Sequence, residues 1–69
     1  MKLVGKTVYT ANARTNGTDE WICIGEFNGE MLGRAERLCI LQADKRQVVL
    51  PRRCVFLTAT DARRVNNLT

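Results

Sequence analysis

The chain contains no histidine and no serine. It therefore lacks the commonest general acid/base and metal ligand, and also the usual hydroxyl nucleophile. Tyr9, Trp21, Phe27 and Phe56 are its only aromatic residues and Pro51 its only proline. No run of about 18 apolar residues occurs, so no segment reads as a membrane span. The opening MKLVGKTVY has no apolar stretch of signal-peptide length before Lys6. No glycine-rich phosphate loop is present: Gly25, Gly29 and Gly33 are evenly spaced but lack the Lys-Ser/Thr ending. These absences leave an enzyme little to work with, and the expectation is a non-catalytic protein without a cofactor.

What is present describes one small domain. A chain of 69 residues buries only about 60% of its unfolded surface, so outside support for the core is expected. Hydrophobic residues at 45% and charged residues at 26% are an ordinary folding balance. The three cysteines, Cys23, Cys39 and Cys54, are odd in number, and with no secretory signal they read as reduced thiols in a cytoplasmic setting. They lie 16 and 15 residues apart and each sits in an apolar run, so they read as small buried hydrophobes, not as a metal site. Cys54, beside Arg52 and Arg53, is the one with a route to a lowered pKa. The carboxylates Glu26, Glu30 and Glu36 read as solvated charges.

Alternation of apolar and polar residues places strands at 6–13, 20–27, 37–43, 47–50 and 55–58. Asn16-Gly17, Asn28-Gly29 and the tetrad from Asp44 to Gln47 read as turns, and Gly25 as a bulge or bend. In the second strand, Glu20, Ile22, Ile24 and Glu26 would share one face, and Trp21, Cys23, Gly25 and Phe27 the other. Pro51, lacking an amide donor, belongs at a strand end. A competing reading makes residues 31–45 a helix, giving an α+β fold, against the cost of Gly33 in its interior. A barrel over residues 1–60 and a short helical or frayed tail over 61–69 complete the reading, with Thr60 or Asp61 as helix cap.

Val4-Gly5-Lys6-Thr7-Val8-Tyr9, the stretch from Trp21 to Phe27, Gln47-Val48-Val49-Leu50-Pro51 and Val55-Phe56-Leu57 together resemble the SH3-like small barrels. The resemblance covers most of the chain and is one of pattern. It implies a mainly β, five-stranded barrel. Such barrels host nucleic-acid binders, peptide binders and a few oligomeric enzymes, so fold alone does not assign function. The polyproline-binding type also expects a cluster of aromatics that this chain does not have.

Charge and surface point to binding. The net charge is +4, and arginine outnumbers lysine eight to three. Arginine's planar fork suits phosphate and carboxylate. Lys45 and Arg46 at a hairpin tip, Arg52 and Arg53 after Pro51, and Arg34 and Arg37 at the approach to the third strand would form a basic rim. Tyr9, Trp21 or Phe27 could stack on a base if exposed. Apolar residues on both faces of strands two and four exceed what one small barrel hides, so a homo-oligomer or an obligate partner is expected. The leading expectation is a nucleic-acid-binding module that self-associates. The alternative is a regulator or inhibitor of the mobile-element type, gripping an acidic host protein.

Overall fold

The computed structural model describes residues 2–67. Four strands, β1 (Thr7–Asn12), β2 (Gly17–Met31), β3 (Arg34–Ala43) and β4 (Arg46–Pro51), form one antiparallel sheet in chain order, and α1 (Ala59–Asn67) follows. The protein is mainly β. Residues 34–43 are strand, which overturns the alternative helix at 31–45: Leu38 to Leu41 pair with both β2 and β4. A continuous apolar run suits a strand covered on either side, and the ladder on both edges outweighs helical periodicity.

Two of the three hairpins close through tight turns. Leu32 and Gly33 join β2 to β3 with φ of 54° and 78°, the left-handed pair that a type I′ turn requires. Asp44, at φ 52°, opens the turn from β3 to β4. Asn28-Gly29 is not a turn. Both residues stay in the ladder opposite Arg37 and Glu36, and a Cβ on Gly29 would fall 2.8 Å from Leu38 Cδ1. The glycine there makes room for Leu38 and does not reverse the chain.

The register shifts between Cys23 and Gly25, so Ile24 is the extra residue of a β-bulge. A bulge reverses the alternation beyond it. Trp21 and Cys23 therefore face the core, but so does Glu26, opposite buried Cys39, while Phe27 turns outward beside Leu38. The expected faces hold up to Cys23 and exchange after it.

Leu3, Val8, Trp21, Cys23, Cys39, Leu41 and Val55 make the core, edged by Ala43, Val48 and Leu50. Leu3 reaches it because the N-terminal segment is pinned beneath β2. Gly5 N donates to Cys23 O at 2.7 Å, and Leu3 N donates to the Glu26 carboxylate at 2.9 Å.

After β4, Pro51 at φ −61° leads into a single 3₁₀ turn over Arg52–Cys54, closed by Val55 N donating to Arg52 O. The expected fifth strand at 55–58 is reduced to one bridge residue. Phe56 exchanges both backbone hydrogen bonds with Tyr9, at 2.8 and 2.9 Å, on the side of β1 away from β2. The helix cap is Thr58, two residues ahead of the expected Thr60: its Oγ1 accepts from Asp61 N at 3.2 Å. The helix carries through Val65 and Asn66, where fraying was expected; residues 68–69 lie outside the described part. Ala62 is buried, and Asn66 Nδ2 donates to Gly17 O, so α1 is tied to the start of β2.

Candidate functional site

The predicted basic residues fall into two groups, not one rim. Lys45 and Arg46 sit at the β3–β4 turn, and Arg52 and Arg53 follow the other end of β4. Arg46 and Arg52 are six residue steps apart at about 3.3 Å each along the strand, so the two pairs lie roughly 20 Å apart. Arg34 and Arg37 join the second group, because antiparallel pairing brings the start of β3 beside the end of β4.

Most of these cations are already engaged. Arg53 Nε donates to Glu36 Oε1 at 2.7 Å, with Nη2 reaching Oε2 at 3.5 Å. This hydrogen bond holds the Glu36 carboxyl below its usual range; partial desolvation opposes the shift, and the charges of Arg53 and Arg34 reinforce it. Arg37 bonds Asn28 Oδ1 at 3.2 Å and stands 3.8 Å from Glu26 Oε1. Arg52 Nη1 donates to Val55 O at 2.7 Å and braces the 3₁₀ turn. Arg46 lies over the Trp21 ring, 5.2 Å from its centroid. Lys45 is exposed at the turn.

The aromatics do not form a stacking platform. Trp21 is buried, with Nε1 donating to Thr10 Oγ1, and Tyr9 is half-buried beside Phe56. Phe27 alone among the three is open to solvent, at 40% exposure on the outer face. Ile22, Ile24 and Val49 share that face at 44, 42 and 40%. The register aligns Ile24 and Gly25 with Ile40, and Ile40 with Val49, so an apolar band crosses three strands to the edge of β4.

Cys23 and Cys39 are core, as expected, while Cys54 is only half-buried. Burial pushes the Cys39 thiol up to about 11, helped by neighbouring Cys23 and Glu26. No group of three potential ligands is positioned to hold a metal ion among the described residues, and none of their helices is long and apolar enough to cross a membrane.

Sequence reasoning missed a cleft of about 440 Å³ at the Leu50 end of β4. It is lined by Thr10, Ala11, Leu50, Arg53, Cys54, Phe56 and Val65. Its walls come from β1, the end of β4, the 3₁₀ turn and α1, a convergence that no local pattern announces. Half-buried Cys54 opens into it, with Arg53 at its border. Comparison with family models, curated proteins and solved structures finds no match to this chain.

Proposed function

We propose that this protein is a small non-catalytic binding module, built as an SH3-like barrel, that engages an acidic protein through the basic ends of β4. The paired hydrogen bonds between Tyr9 and Phe56 support the barrel reading, since they attach the chain after the 3₁₀ turn to the second edge of β1. The observation that carries the binding reading is the placement of Lys45-Arg46 and Arg52-Arg53 at opposite ends of one strand. Arg53 already donates to the Glu36 carboxylate from an exposed position, so its fork suits that chemistry, and a partner carboxylate would share or displace Glu36 there. Small size and the absence of histidine and serine fit a regulator or inhibitor of the mobile-element type.

A second reading keeps nucleic-acid phosphate as the ligand and self-association through the outer face. The apolar band of Ile22, Ile24, Phe27 and Val49 favours the self-association half. Parallel titrations of labelled polyglutamate and an oligothymidylate across a salt series separate the two. The acidic-protein reading expects polyglutamate to bind and the oligonucleotide to be the weaker ligand. Tight oligonucleotide binding that falls steeply with salt would transfer the function to phosphate.

A further inference from the structure

The free edge of β4 is an unguarded strand edge. Its six residues pair with β3 without a bulge, and among the described residues no backbone hydrogen bond joins them to another strand. Proteins blunt such edges with lysines, prolines, bulges or covering loops. Here the middle of the strand, Gln47-Val48-Val49-Leu50, is uncharged. Pro51 stands only at its end, and Arg46 is drawn back over Trp21. The opposite edge of the sheet is occupied, because Phe56 bridges Tyr9 and α1 packs on β1. Among the described residues the sheet is open along β4 and also along residues 27–31 of β2, which pair with β3 alone, but only β4 has basic pairs at both ends and a cleft at its end.

From this edge, together with the apolar cleft at its Leu50 end and the basic pairs at both ends, we infer that β4 receives an extended segment of an acidic partner protein as an added strand. This rests on the acidic-protein reading and specifies its geometry. Main-chain hydrogen bonds to the edge supply affinity, and alternate side chains of the added strand enter the cleft formed by Leu50, Cys54, Phe56 and Val65. The bracket of Lys45-Arg46 and Arg52-Arg53 selects a segment with acidic residues at both ends and alternating apolar residues between them. A second copy of this chain is the poorer occupant. Antiparallel self-pairing that keeps like faces together centres on Val48 or Val49, and either register sets Arg46 beside or diagonal to the copy's Arg52. Like charges so placed are destabilising, and the chain already carries +4.

The test uses short synthetic peptides of alternating valine and threonine, flanked by paired glutamates or by paired lysines, and a scrambled glutamate-rich control without alternation. The alternating acidic peptide is expected to bind and to perturb the amides of Gln47 to Leu50. The scrambled control should bind at least about tenfold more weakly, which is about 1.4 kcal/mol. Lys45→Glu, at an exposed turn, should weaken the acidic peptide and strengthen the lysine-flanked one, a swap that misfolding cannot produce. Equal binding of alternating and scrambled acidic peptides would overturn strand addition while leaving the acidic-partner reading intact. No binding of any acidic peptide at about 1 mM would overturn both. A strand-paired dimer of the protein through β4 would replace the proposed occupant.

Discussion

The indole Nε1 of Trp21 donates a 2.9 Å hydrogen bond to Thr10 Oγ1, and both residues are buried. This bond ties β1 to β2 from inside the core, one residue away from the Tyr9–Phe56 bridge. Replacing Thr10 by valine keeps the shape but leaves the indole N–H without its acceptor. The expected loss is about 1–3 kcal/mol, while Thr10→Ser should lose less because it keeps the hydroxyl. Denaturant unfolding followed by the fluorescence of Trp21, the only tryptophan, reads both variants. Equal stability of Thr10→Val and the parent would show that the bond contributes nothing net.

Leu32 occupies a left-handed turn position at φ 54° and is 91% exposed. A Cβ at positive φ costs roughly 1–2 kcal/mol, and the side chain recovers none of it by burial. Leu32→Gly should therefore raise stability by up to about 1 kcal/mol after the entropy of glycine is counted. A lower midpoint for Leu32→Gly in chemical denaturation would mean that the leucine has a folded-state contact.

The three thiols should separate by reactivity. Cys23 and Cys39 are sealed in the core, while Cys54 is half-buried at the cleft. A chromogenic disulfide reagent at neutral pH should titrate one thiol quickly and the other two only on unfolding. Cys39 also makes stability depend on alkaline pH. Its folded pKa of about 11 lies above the usual 9.0, so the unfolded chain loses its proton first. Stability is thus full below pH 9 and falls as pH rises toward 11. Thermal melts of the parent should show this alkaline loss more steeply than those of Cys39→Ala.

Glu36 should titrate below the ordinary carboxylate range because Arg53 donates to it. Arg53→Gln should move its midpoint up toward 4.5, measured by NMR of the side-chain carboxyl. A depressed folded pKa stabilises above the unfolded value and is lost as pH falls through the folded one, so the pair's contribution fades on acidification. An unmoved midpoint would mean that Arg34 and the surrounding field set it instead.

The β-rich character, the turn near Asp44, the bulge near Gly25 and the strand-ending role of Pro51 were all legible from residue chemistry. The positions that misled are ones where a local signal has two physical meanings. Asn28-Gly29 has turn chemistry, yet Gly29 is small to admit Leu38; the real reversal uses Leu32, a residue that seldom accepts positive φ. One extra residue at Ile24 exchanged the faces of Glu26 and Phe27, which strict alternation cannot anticipate. The basic pairs were expected to form one rim of a small barrel. In the register they are held apart by the full length of β4, and only Arg34, Arg37, Arg52 and Arg53 gather at one end. The cleft was invisible because its lining comes from four distant segments.

Amide-by-amide NMR mapping during titration with an acid-flanked extended peptide decides whether β4 receives an added strand. Strand addition at β4 should shift the amides of Gln47 to Leu50, those of Lys45 and Arg53 on either end, and those of Phe56 and Val65 across the cleft. Shifts confined to Ile22, Ile24 and Phe27 on the outer face, or none along β4, would contradict it.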